Sequence, residues 1–347
     1  MSGDDGFKVV RPPWAENAAE RRRITPTGLW RVRVFVLMAA VLLAAVASAE
    51  EGAAKASDGT HSGKEPLGAE TQSVCLSRSH AKHGNDGNSH AKRGNDADGT
   101  ADREGFQVHG VESPYQAGRT EIRVLRPDRL EEGRRYPVVY VLPVEAGNEA
   151  RFGNGLVEVK RQDLHNKHRA VFVAPTFSHL PWYADHPTDP EIRQETYLLR
   201  IVVPLVEKQY PVQANTDGRL LLGFSKSGWG AMGLLLRHPD VFGRAAAWDA
   251  PLMKNKPDQF GMEGIFATQE NFEKYQVTKL LQGRAVELQG PNRLVLTGYG
   301  NFREHHQQAH DLMMRLGVAH EYRDGPARKH DWHSGWVEEA VGLLLHP

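Results

Sequence analysis

The chain has 347 residues, 40% of them hydrophobic and 25% charged, and its Lys plus Arg balance its Asp plus Glu to a formal net charge of zero. That length holds one large domain or two small ones, and the composition is that of a globular protein. The balance gives no sign of the clustered basic face a nucleic-acid partner needs, and the single cysteine, Cys75, excludes an intramolecular disulfide and a four-cysteine zinc site.

Residues 1–49 have the layout of an export signal. The basic residues Arg21, Arg22, Arg23, Arg31 and Arg33 precede an uncharged apolar stretch from Val34 to Val46, which ends in Ala47-Ser48-Ala49. A basic region, a short apolar core and an A-x-A ending mark a secretory signal. The core is shorter than the ~20 residues that span a bilayer. The expectation is therefore export to the periplasm or beyond, with cleavage after Ala49 and no stable membrane span afterwards; an uncleaved signal would leave the protein anchored. Residues 50–104 are rich in Gly, Asp, Asn, Ser, Lys and His and poor in large apolar residues, so they predict a disordered linker. Within it, Ser79–Asp86 is nearly repeated as Ser89–Asp96. Its histidines read as part of a solvated tether rather than a metal trap.

From 105 to 347 the pattern is that of one folded domain. Thr120–Arg126 alternates as a half-buried strand does. Pro137–Leu142, Ala170–Ala174, Leu220–Leu222, Arg244–Trp248 and Arg293–Thr297 are apolar runs expected of strands buried on both faces. Between them, Glu191–Tyr210, Gly230–His238, His306–Leu316 and Gly335–Leu345 carry helical spacing. Alternating strands and helices predict an α/β protein with a mostly parallel central sheet and helices on both faces. Ligands then sit beyond the carboxyl ends of the strands.

Directly after Leu220–Leu222 comes Gly223-Phe224-Ser225-Lys226-Ser227-Gly228. A serine held on a sharp strand-to-helix turn between small residues is the nucleophile elbow of the α/β-hydrolase fold. Ser225 is the expected nucleophile, and the backbone N–H of Lys226, at the helix start, one oxyanion donor. Ser227 stands where the usual pattern has glycine. A serine hydroxyl needs a base within reach, and in this fold the histidine comes last in the chain. His330 lies in the loop before the final helix, with His333 as its competitor. The acid that orients the base is expected after the run 294–297, where the sequence offers neutral Asn301. Two carboxylates compete instead: Asp249, at the end of a buried run, and Glu304. Asp249 is the preferred acid, and Asp324 an outside candidate.

The elbow, the His330-x-Trp332 tail and the loop Leu142-Pro143-Val144-Glu145 together resemble the esterase D-like α/β-hydrolases. That family includes S-formylglutathione hydrolases, feruloyl and acetylxylan esterases, enterochelin esterases and mycolyltransferases. The resemblance covers about residues 106–345. It implies an acyl-enzyme mechanism on small-molecule or carbohydrate esters, with Ser225 as nucleophile, His330 as base, and the N–H groups of Lys226 and of Val144 or Glu145 as the oxyanion hole. It also implies that no metal or organic cofactor is needed.

The loop Phe177–Pro187 is rich in Pro and aromatics, and Trp182 and Tyr183 are candidates to stack on a sugar or aromatic acyl group. His305, His306 and His310 have a spacing that can bind zinc, but no acidic partner is present, and a solvated helix face is the expectation. Asn301 and the irregular elbow keep a second class open: a non-catalytic exported protein that binds carbohydrate or envelope ligands on the same fold. Acyl transfer to a sugar, using the same three residues, is a third reading.

Overall fold

The apolar runs become the inner strands of one nine-stranded sheet. The computed structural model describes residues 99–346, so the expected export signal, most of the expected linker and Cys75 lie outside the described residues. The strands are β1 Thr100–Ala101, β2 Gln107–Glu112, β3 Arg119–Leu125, β4 Val138–Val141, β5 Val171–Pro175, β6 Arg219–Phe224, β7 Arg244–Trp248, β8 Leu294–Tyr299 and β9 His320–Ala327. Their order across the sheet is β1-β2-β3-β5-β4-β6-β7-β8-β9. The pairs β1–β2, β2–β3 and β3–β5 are antiparallel, and every pair from β5–β4 to β8–β9 is parallel. This is the expected mostly parallel sheet. β1 lies on the linker side of the boundary expected at 105, and β2 was not foreseen. β2 is mostly half-exposed and lacks the apolar run that betrays an inner strand.

Burial on both faces explains why β4 and β6–β8 read as unbroken apolar runs. Alternate residues of β6 serve opposite cores: Leu221 packs on one side, Leu220, Leu222 and Phe224 on the other. The first core takes the helices Ser225–Arg237, Val277–Arg284 and Arg303–Leu316, and the second takes Gly155–Arg161 and Val337–Leu345. The helix expected over 191–210 is real but broken into Gln194–Tyr197, a π-helical turn Leu198–Val202, and Val203–Gln209. Pro204 follows the wide turn and has no N–H to continue the ladder. Among the described residues no helix is long and apolar enough to cross a membrane.

The parallel order has one consequence for chemistry. β4, β6, β7, β8 and β9 are successive neighbours, so the segments that leave their carboxyl ends gather along one edge of the sheet. Those segments carry Val144 and Glu145, Ser225, Asp249, Gly300–Phe302 and His330, respectively.

Candidate active site

The turn at Ser225 is tight enough to force its neighbours to be small. Phe224 is extended at φ −134°, and Ser225 then adopts φ 53°. A non-glycine residue in that region costs about 1–2 kcal/mol. At Gly223 a Cβ would lie 2.2 Å from the carbonyl oxygen of Ser227, and at Gly228 it would lie 2.8 Å from the Cβ of Ala250. The glycine usual at position 227 is not required here. The Ser227 hydroxyl donates to the Phe224 carbonyl at 2.9 Å and accepts the Phe224 N–H at 3.1 Å. Ser227 thereby ties the strand end to the helix start. Ser225 itself is 9% exposed.

Asp249 also has a positive φ, 44°, and is fully buried. Its carboxylate accepts the N–H of Asn301 at 2.8 Å and that of Phe302 at 2.6 Å. Oδ2 lies 2.5 Å from Nδ1 of His330. Burial opposes the charge, but the bonds from His330 and from the backbone of Phe302, Asn301 and Gly300 outweigh it and hold the carboxyl below its ordinary pKa. With that carboxylate ionised, Nδ1–H of His330 is the donor, which leaves Nε2 with its lone pair free; the tautomer follows from the bonding network.

The imidazole of His330 sits in an aromatic surround. Its centroid is 4.9 Å from that of Phe224, 5.5 Å from Phe152 and 5.8 Å from Phe302. The loop that carries it is anchored at three points. Trp332 donates its backbone N–H to the Phe152 carbonyl, Trp336 Nε1 donates to the Asp331 carbonyl, and His333 Nδ1 meets the buried carboxylate of Glu158 at 2.7 Å. His333, the competitor for the base, is a loop anchor, and the last helix begins at Val337. The structure brings Asp249 and His330 together and leaves the other acids apart. Glu304 is exposed on its helix and accepts from Gln308, Asp324 pairs with Arg303, and Asn301 contributes only its backbone N–H.

Val144 and Glu145 follow β4 as expected, both buried. Glu145 pairs with Arg151 at 3.3 Å. The Lys226 side chain folds into the protein, and burial lowers its pKa against the attraction of Glu145, with Arg151 adding to the lowering.

The expectation that Trp182 and Tyr183 stack on substrate is corrected: both are core residues. Trp182 packs edge-on against Trp229 and donates Nε1–H to the Phe260 carbonyl. Tyr183 lies across Gly230 of the elbow helix, where a Cβ would come within 2.1 Å of its ring, and its hydroxyl donates to the Pro143 carbonyl at 2.5 Å. It braces the Val144–Glu145 loop from beneath. Gln194 holds both in place by accepting their N–H groups.

The zinc-spaced histidines do not form a solvated face either. His306 is 1% exposed, and its Nε2 accepts the Ala250 N–H at 2.8 Å. Among the described residues no group of three or more His, Cys, Asp or Glu could hold a metal ion. The helical spacing of His306 was visible in the sequence, but its role as a prop for the Asp249 turn was not. Burial holds His306 neutral down to about pH 4. An unfolded histidine takes its proton near pH 6.5. Between those values the unfolded state binds more protons, so stability falls as pH drops from about 6.5 to about 4, by about 3 kcal/mol from this residue. Urea melts at pH 7.5 and 4.5 should show the loss, and a His306→Gln variant should show a smaller one. Equal losses in the two proteins would refute the assignment.

Comparison with known proteins agrees with this architecture. The model of the Esterase family matches residues 113–287. Two Mycobacterium tuberculosis esterases, from strains CDC 1551 and H37Rv, are each 27% identical over 134 residues, 38% of this chain. The chain spans 29% of the length of those curated relatives. The structure of S-formylglutathione hydrolase from Staphylococcus aureus aligns with a TM-score of 0.57 at 17% identity, over 70% of this chain and 98% of that one. A ferulic acid esterase aligns with a TM-score of 0.53 at 23% identity, over 69% and 96%. These likenesses show the α/β-hydrolase fold.

Proposed function

We propose that this chain, which belongs to the Esterase family, hydrolyses carboxylic esters of the carbohydrate- or aromatic-acyl class through an acyl-enzyme on Ser225. Ser225 Oγ attacks the ester carbonyl while Nε2 of His330 takes its proton. The charge that collects on the carbonyl oxygen is held by the N–H of Lys226 and by that of Val144 or Glu145. Collapse of the tetrahedral species expels the alcohol, which receives the proton from His330. Water then attacks the acyl-enzyme with His330 again as base, and the acid leaves. Asp249 keeps Nδ1 protonated and offsets the imidazolium charge.

The observation that supports this reading most is the 2.5 Å contact between Asp249 and His330, one strand from the elbow serine at φ 53°. It supplies an acid even though Asn301 occupies the expected position. The basic, apolar and Ala47-Ser48-Ala49 segments support export, with the enzyme domain released beyond the cytoplasm on its polar tether. The test is a fluorophosphonate probe read by intact mass. One adduct per chain, mapped to Ser225, is the expected result; folded protein that takes up no adduct would overturn the reading.

A further inference from the structure

Four large apolar side chains are exposed among the described residues: Leu180 at 36%, Phe260 at 51%, Val286 and Met314. Two of them meet. A Cβ at Gly261 would lie 2.7 Å from Cδ1 of Leu180, so Leu180 rests against the residue that follows Phe260. The Phe260 ring stands edge-on to Phe302 at 6.2 Å, and Phe302 stands edge-on to His330 at 5.8 Å. An apolar strip therefore runs from Leu180 through Phe260 and Phe302 to the imidazole.

The strip is built, not incidental. Phe260 adopts φ 57°, a conformation bulky residues avoid, and Gly261 follows at φ 73°. The backbone there is pinned from below by the indole N–H of fully buried Trp182, which donates to the Phe260 carbonyl at 3.1 Å. An aromatic ring kept half in water on a strained backbone gains less for folding than a buried one, and such strain collects at ligand-contact sites. Leu180, Phe260 and Phe302 are themselves apolar, which suits hydrocarbon better than a hydroxyl-rich sugar.

We propose that Leu180, Phe260 and Phe302 form a subsite for an apolar group of the ester, a ring or an alkyl chain of several carbons. The proposal rests on the serine-esterase reading above and specifies which substrates that site prefers. Bound there, such a group would lie beside His330, with its ester directed toward Ser225.

The full chain and its Phe260→Asn variant test this, asparagine being a residue that accepts a left-handed backbone. The readout is kcat/KM on methyl acetate, methyl hexanoate, methyl cinnamate and 2-naphthyl acetate, taken as variant-to-wild-type ratios so that intrinsic ester reactivity cancels. The variant should lose at least about tenfold more on esters with a large apolar group than on methyl acetate. A loss confined to the hexanoate and cinnamate assigns the strip to the acyl side, and one confined to the naphthyl ester assigns it to the alcohol; either supports the subsite. Equal losses on all four esters would overturn it. Leu180→Ser should change the ratios in the same direction, which covers an unstable Phe260→Asn. Fluorophosphonate labelling separates the two levels: a wild type without adduct sinks the esterase reading and the subsite with it, whereas labelled protein with equal losses sinks the subsite alone.

Discussion

Ser225→Ala is expected to lower kcat on a short chromogenic ester by about 10⁴-fold or more without lowering the melting temperature. The size follows from the role: removing the nucleophile leaves only binding and the oxyanion donors, and triad residues act as a unit. The unchanged stability follows from the backbone. Ser225 has no side-chain hydrogen bond that the fold depends on, and its φ of 53° is as costly for alanine as for serine. Ser225→Gly should be equally inactive and melt higher, because glycine occupies that region at no steric cost, a relief of about 1 kcal/mol. Rates on the two variants and their thermal melts check both halves. A residual rate above about 1% of wild type would be too large for the role assigned.

Asp249→Asn has the second-largest expected effect, a fall in kcat of about 10³–10⁴-fold, with little change in KM. An amide oxygen can still accept from His330, but the NH₂ group then faces the N–H groups of Asn301 or Phe302, both of which now point at a carboxylate oxygen. Turning the amide to satisfy them presents NH₂ to the imidazole and favours the wrong tautomer. One donor pair conflicts in either orientation, so stability should also drop by about 1–3 kcal/mol. Glu304→Gln is the control. Glu304 bonds only Gln308 on an exposed helix face, and its variant should stay within about twofold of wild type, the range expected of surface substitutions. A slow Glu304→Gln beside a fast Asp249→Asn would reverse the assignment of the acid.

The fold and part of the site could be read from the chain because the relevant signals are local. An apolar run followed at once by Gly223-Phe224-Ser225 dictates a buried strand and a crowded turn within a few residues. That Asp249 ends a buried strand was legible for the same reason. What escaped the sequence depends on distant partners. Trp182 and Tyr183 sit in a Pro- and aromatic-rich loop whose composition is the same whether it faces solvent or the core. Gln194, Pro143 and Trp229 decide the matter, and none is adjacent in sequence. His306 shares its helical spacing with an ordinary solvated face, and only the packing of that helix under the end of β7 turns it inward. Phe260 gave no sign in the sequence, since its meaning lies in a backbone conformation and a neighbour at 302.

The clasp around Asp249 is made of main chain. Asn301 gives its N–H and sends its side chain to water, while Gly300 leaves room, since a Cβ there would lie 2.7 Å from Asp249 Oδ2. The loop after β8 thus serves the carboxylate without committing any side chain at 301. Mutational drift at that position has nothing to erode, so long as the residue keeps an amide hydrogen. Side chains alone would therefore hide what this loop contributes, because it does its work through the backbone.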